Sequence, residues 1–401
     1  MRLVWPLAVL HLLMKPHPTF SQTVASKITP RVVIVSMWQP EAHVWYSRFP
    51  ESKLGNLTAH AIALPGLSML FPYLFCTEDF RVCQITLGEG EINAAASMMA
   101  LVLSQQFDLR QSYFLLAGIA GVNPGYATIG SVALARFAVQ VALQYEIDPR
   151  SLPLDWPTGY ISYGRDLPLE YPAVTYGTEV FELNKDLRES AFSLASKAVL
   201  ADADTSRQYR SKYGGPVGDF PLASCPPSIV RCDMATSDVY YSGTKLAQAF
   251  ANTTNVWTNG TGVYCMSAQE ENASLEVLVR ATVDKLADFS RVIVMRAGVS
   301  DLQHLTSVDQ NGFNVAINNT FAAGIEIVKG IVGGWNCTFR QGISPTNYIG
   351  DMFGSLGGKP DFGLGSLTGG SPARPGGQSG DWAKLEMSRR GQFGLRALIK
   401  S

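Results

Sequence analysis

The stretch Arg291-Val-Ile-Val-Met-Arg-Ala-Gly-Val-Ser-Asp301 decides how the rest of the chain is read. Four apolar residues, 292–295, precede Arg296. They predict a fully buried strand, because strands covered by helices on both faces lose the polar alternation of a half-exposed sheet. Gly298 loosens the backbone just before Ser300 and Asp301. Open α/β sheets bind ligands outside the carboxyl ends of their strands, so a carboxylate at Asp301 faces a ligand crevice. Ser and Asp also favour helix starts, which leaves a plain cap ahead of Leu302 as the competing reading. The neighbouring segments have to choose between the two.

The same pattern repeats outward from that strand. Residues 31–37 predict a first buried strand, and Trp38-Gln-Pro-Glu41 turns into a helix starting near Pro40, which puts Glu41 in its first turn. An acidic residue there also simply complements the helix dipole. Residues 81–86 read as a second strand, and Gly88-Glu-Gly-Glu-Ile-Asn93 bends into an apolar helix over residues 94–107. A third strand, residues 112–117, ends in Gly118-Ile-Ala-Gly121, whose small side chains leave room at the sheet's ligand side. Residues 129–135 begin another strand. Strands over 229–234 and 262–266 then alternate with helices over 184–200, 243–251, 269–286 and 314–333. This alternation predicts one three-layer α/β domain, a central mixed or parallel sheet with helices on both faces.

Composition narrows the function classes. A chain of 401 residues, 46% hydrophobic and 16% charged, can bury a full core. A net charge of −1 without Lys/Arg runs argues against nucleic acid, whose phosphates need a basic face. A neutral small molecule or another protein fits better. Met1-Arg2 leads into an apolar run over residues 3–14, interrupted by Pro6 and His11 and followed by small residues near Ser21. That run is too short to span a bilayer and predicts a cleaved secretory signal over residues 1–21. No later stretch supports a multi-span membrane domain.

Export agrees with six Asn-x-Ser/Thr sequons, at Asn56, Asn252, Asn259, Asn272, Asn318 and Asn336. It also agrees with six cysteines. Cys76/Cys83 and Cys225/Cys232 are close enough for local bridges, yet six cysteines allow fifteen pairings and sequence cannot choose. There is no Cys-x-x-Cys, and His43, His60 and His304 lack ligand spacing, so no metal or other cofactor is expected. The domain is expected over residues 22–339. From Arg340 the chain turns Gly/Pro/Ser-rich, as in residues 354–360 and 369–377, and reads as a tail without a core over residues 340–401.

Five motifs in order carry a family resemblance: Gly88-Glu-Gly-Glu-Ile-Asn-Ala-Ala95, Ala117-Gly-Ile-Ala-Gly121 with Ile129-Gly-Ser-Val132, Ala235-Thr-Ser-Asp238, Gln269-Glu-Glu-Asn-Ala-Ser-Leu275 and Val299-Ser-Asp301. Over residues 31–338 the chain resembles the purine nucleoside permease family, whose fold is similar to that of nucleoside phosphorylases and nucleosidases. The resemblance implies that Asp301, with Ser300 beside it, faces N7 of a purine. It implies that Glu271 takes the ribose hydroxyls, and that Gly118 and Gly121 line the path of the sugar or its attacking group. Where nucleoside phosphorylases usually carry Met before that glutamate, this chain has Glu270. Asn272 heads a sequon beside the implied ligand and is expected to carry no glycan.

The chemistry implied is cleavage of an N-glycosidic bond, with Asp301 as the leaving-group acid. Phosphorylases of this fold usually place an Arg on the strand ahead of the small-residue loop, where this chain has Leu115 and Leu116. Nucleosidases of this fold use a Glu after the first strand to activate water, and Glu41 sits close to that place. Water is therefore favoured over phosphate. A non-catalytic nucleoside binder serving uptake, extracellular, periplasmic or on the cell surface, is the rival reading. Relatives of this fold commonly assemble with partner residues bordering the site, which leaves room for a homo-oligomer.

Overall fold

A computed structural model describes residues 26–214, 220–299, 312–360 and Phe362. The first half of the chain carries β1 (Val32–Ser36), α1 (Gln39–Arg48), β2 (His60–Ala63), β3 (Tyr73–Cys76), β4 (Val82–Thr86), α2 (Glu91–Val102), β5 (Tyr113–Val122), β6 (Val132–Leu134) and β7 (Phe137–Gln140). A hairpin of β8 (Gln144–Glu146) and β9 (Tyr160–Ser162) stands apart, before β10 (Val180–Glu182) and the helices α3 (Lys185–Ala195), α4 (Asp204–Arg210) and α5 (Pro221–Ser224). Then come β11 (Ile229–Arg231), β12 (Asp233–Thr236), α6 (Thr244–Trp257), β13 (Tyr264–Ala268), α7 (Glu271–Val283), β14 (Val292–Val299), α8 (Phe313–Gly333) and β15 (Gly350–Asp351).

Among the described residues, 13 of these strands form one sheet whose main path runs β15-β10-β7-β12-β13-β5-β1-β4-β3-β2. β1 pairs in parallel with β4 and β5, β14 in parallel with β5, and β13 antiparallel with the end of β5. The sheet is therefore mixed, with helices on both faces, as the alternation predicts. All five residues of β1 and all eight of β14 are buried, which is why both read as unbroken apolar runs. Side chains alternate between two cores: Val33 and Val35 pack with α2 and α7, while Val32 and Ile34 pack with α1 and α8.

Two sequence expectations change here. β5 does not stop at Ala117; it runs through Gly118 to Val122, because β14 pairs with it residue by residue from Phe114 to Gly121. The small residues are thus inside a strand rather than in a loop after it. The domain also runs past residue 339. Gly350–Asp351 adds an edge strand to β10, and Phe362 is buried against Phe137 and Tyr348. Arg291 fixes this extension by donating to the carbonyls of Gln111, Phe339 and Arg340. Gly and Pro in residues 340–360 make turns between packed aromatic anchors rather than an unpacked tail.

The helix α8 is long and apolar enough to cross a membrane by length and composition, but 67% of its most apolar window is buried, and it packs on β14, β5 and α1. The disulfides are Cys76–Cys83, across β3 and β4, and Cys232–Cys265, which ties the start of β12 to β13. Cys225, close in sequence to Cys232, is free and exposed, as is Cys337. Proximity along the chain loses to the register of the sheet.

Candidate active site

The site forms where the two halves of the sheet meet. β13 runs against the end of β5, with Ser267 opposite Gly121, so the turn after β13 comes back over the middle of β5 beside Gly118. That turn delivers Glu270, at the N-cap of α7, and Glu271, its first residue. Glu41 arrives from the first turn of α1, after the parallel strand β1. The fourth member was not singled out from the sequence: Arg296, in β14 opposite Gly118.

All four side chains are at least 96% withdrawn from solvent. Arg296 is the hub. Its Nε donates to Glu271 Oε1, its Nη2 to Glu270 Oε2 at 3.0 Å and its Nη1 to the Ile119 carbonyl at 3.0 Å, while Glu41 Oε1 lies 3.6 Å from Nη1. The surrounding carboxylates hold the guanidinium firmly protonated, above its already high ordinary value, although burial opposes this.

Each carboxylate is also held from the backbone side or left open in a telling way. Glu41 Oε2 accepts from Met37 N at 2.8 Å and Oε1 from Ile119 N at 2.9 Å. Burial nonetheless pushes its carboxyl up to about 8, against the pull of Arg296 and the Met37 amide. Glu270 Oε1 accepts from Gly90 N at 3.0 Å, and burial raises this carboxyl too. Glu271 Oε2 is buried with no hydrogen-bond partner among the described residues. A buried acceptor without a donor carries a desolvation cost, and an incoming hydroxyl would remove it.

Gly118 makes this packing sterically feasible. A Cβ on it would stand 2.5 Å from Arg296 Nη1 and closer still to Glu41 Oε1. Gly118→Ala is expected to force Glu41 and Arg296 apart and to destabilise the fold by about 1–3 kcal/mol, the usual cost of overpacking a filled core, which chemical denaturation checks.

The structure therefore brings together Glu41, Glu270, Glu271 and Gly118. Gly121 lies one pleat further on, its carbonyl near Ser267 Oγ at 3.4 Å, at the β5/β13 contact rather than against the carboxylates. Ser300 and Asp301 lie outside the described residues. Arg296 had a sequence signal that went unused: a lone charge inside a strand otherwise buried throughout must be paired. Asn272 is buried, accepting from Thr236 Oγ1 and donating to the Thr178 carbonyl, so its sequon has no free amide in the folded protein.

A second ring of acids adjoins the cluster. Gly90 and Glu91 open α2, and Glu91 N donates to Asp238 Oδ1 at 3.0 Å. Burial, with Asp238 and Glu270 nearby, pushes the Glu91 carboxyl up to about 7. A separate cavity of about 450 Å³ lies at the other end of β14, lined by Asp288, Ser290, Tyr348 and Lys359 among others, and none of the clustered carboxylates borders it. The convergent polar groups mark the candidate site better than that void does.

The sequence profile of the purine nucleoside permease family matches residues 29–344. A purine nucleoside permease of Candida albicans is 40% identical over 349 residues, covering 83% of each chain. A probable purine nucleoside permease of Schizosaccharomyces pombe is 37% identical over 328 residues, covering 78% of this chain and 91% of that one. Among solved structures, the chain is similar to a 5′-methylthioadenosine/S-adenosylhomocysteine nucleosidase of Neisseria meningitidis in complex with methylthio-immucillin-A, with 12% identity, a TM-score of 0.44, and coverage of 76% of this chain and 98% of the other. It is also similar to a futalosine hydrolase mutant of Helicobacter pylori, with 12% identity, a TM-score of 0.43, and coverage of 76% and 99%.

Proposed function

Because the chain belongs to the purine nucleoside permease family, we propose that it binds a purine nucleoside at the Glu41–Glu271–Arg296 cluster and cleaves its N-glycosidic bond with water. The observation that carries this reading is Glu41, a buried carboxyl beside Gly118 whose two oxygens are fixed by the Met37 and Ile119 amides. A carboxylate so placed, with its proton affinity raised, is suited to take a proton from water as the oxygen attacks C1′ of the sugar. Glu271 Oε2 accepts from a ribose hydroxyl, and its charge stabilises the oxocarbenium-like sugar. Arg296 holds both carboxylates in register. Asp301 gives a proton to N7 as the purine departs, so that the base leaves neutral.

Water is preferred over phosphate because the three nitrogens of Arg296 are already engaged by protein oxygens. The protein works outside the cytoplasm, with residues 1–21 removed as a signal and the two disulfides formed in an oxidising compartment. The second reading is binding for uptake without cleavage. It draws on the relatives' name and on one observation: with its carboxyl raised to about 8, Glu41 is largely protonated at neutral pH and is then a weak base.

Incubating the purified chain with adenosine, guanosine and inosine, with and without phosphate, separates these readings. Free ribose independent of phosphate is the expected product. Ribose 1-phosphate appearing only with phosphate would replace the hydrolytic step with phosphorolysis. Ligand-induced stabilisation without base release would leave the binder.

A further inference from the structure

We infer that the mouth of this site is an electrostatic filter that admits uncharged nucleosides and turns away nucleoside 5′-phosphates. The inference rests on the nucleoside-binding reading above and adds a substrate class to it. Glu41, Glu270 and Glu271 surround the single guanidinium of Arg296, so three potential negative charges face one positive charge. The nitrogens of that guanidinium are taken by Glu271, the Ile119 carbonyl and Glu270. A phosphate entering the cluster finds carboxylates and no open cation among the described residues.

The start of α2 closes the usual alternative. Helix N-termini bind anions through their free amides. Here the Gly90 amide is donated to Glu270 and the Glu91 amide to Asp238, both at 3.0 Å. The two amides nearest the cluster are capped by the protein's own carboxylates, with Glu89 exposed beside them. Burial raises the Tyr240 hydroxyl, and Glu89, Glu270 and Glu41 raise it further. The carboxyl groups of Glu41, Glu270 and Glu271, with Glu91 and Asp238 behind them at the start of α2, therefore gather around one cation whose three nitrogens each already donate to the protein. Inside, the unpartnered Glu271 Oε2 is open to a hydrogen bond from a sugar hydroxyl, which fixes the ribose end of the site and leaves any 5′-phosphate to face the carboxylates.

Equilibrium dialysis of the full chain carrying Glu41→Gln, which slows turnover and leaves the carboxylates of Glu91, Asp238, Glu270 and Glu271 in place, tests the filter with adenosine, adenosine 5′-monophosphate and 5′-O-acetyladenosine. The monophosphate is expected to bind at least about 100-fold more weakly than adenosine, since like charges brought together strongly suppress wrong partners. The neutral ester is expected to stay within about tenfold of adenosine, because size and not charge is what it adds. High salt, and the double variant Glu91→Gln/Asp238→Asn, should each narrow the gap for the monophosphate alone. Asn at residue 238 still accepts from the Glu91 amide, and thermal unfolding confirms that the double variant folds. Equal binding of monophosphate and adenosine overturns the filter. So does rejection of the neutral ester as strong as that of the monophosphate, which would assign the exclusion to size. Failure of all three compounds to bind removes the nucleoside reading itself, and the filter with it.

Discussion

Glu41→Gln is expected to lower the rate of purine release by about 100- to 10,000-fold while nucleoside binding survives, the range typical for loss of a positioned general base. The amide keeps the shape of the side chain in a site where Met37, Glu270, Glu271 and Arg296 are all buried. It removes the group proposed to accept water's proton. The pH profile adds a readout that a merely structural role would not move. With the carboxyl at about 8, catalytic efficiency should rise about tenfold per pH unit below that value and flatten above it, because only the ionised form is a base. The variant should lose this limb. Its unfolding should change as well. A carboxyl whose folded value is raised from 4.5 to about 8 keeps its proton longer in the folded state than in the unfolded one. Folding stability therefore falls as pH climbs from about 4.5 to about 8, and Glu270 acts in the same direction. Glu41→Gln should make that decline shallower. An unchanged rate, or an unchanged profile, would remove Glu41 from the reaction.

Arg296→Met is expected to be the most damaging single substitution for stability, by about 3–5 kcal/mol, the usual cost of stripping a buried charge of its counter-ion. Three carboxylates would then face one another without a cation, and the Ile119 carbonyl would lose its donor. Chemical denaturation at pH 7 measures the loss. Adding Glu270→Gln to Arg296→Met should restore part of it by removing one orphaned charge, and lowering the pH should do the same by protonation. A loss below about 1 kcal/mol, in the range of exposed pairs, would mean that the cluster is not held by Arg296. Arg296→Lys should fall between, since a single ammonium cannot reproduce the planar fork that reaches Glu270 and Glu271 together.

How far the sequence reaches is best seen residue by residue. Glu41, Glu271 and Gly118, which the structure brings together around Arg296, stand out in the sequence because ligand-binding groups collect at strand ends, and unbroken apolar runs such as 32–35 and 292–295 announce those ends. Arg296 stood inside the very stretch that organised the reading, yet passed as a strand boundary. Periodicity marks where a buried strand is but does not ask what neutralises a charge within it. Gly118 to Gly121 read as a loop because glycine weakens strands on average. Eight paired positions with β14 override that tendency, and the override is a tertiary effect outside any local window. The Cys232–Cys265 link depends on β12 and β13 being neighbours, which likewise exists only once the sheet does. Past residue 340 composition points to a tail, whereas a few anchors, Tyr348, Met352 and Phe362, pack in a cluster with Phe137, Val139 and Val180.

That last segment bears on the edge of the sheet. The family profile ends at residue 344, but the strand that covers β10 lies beyond it, at Gly350–Asp351. An uncovered β10 would present a row of free amides and carbonyls, a template on which another chain can add a strand. A chain cut at the family boundary would also uncover Phe137, which Phe362 shields at the same margin. The two short residues of β15, held in place through the Arg291 clasp on Phe339 and Arg340, thus serve as a guard against edge-to-edge aggregation.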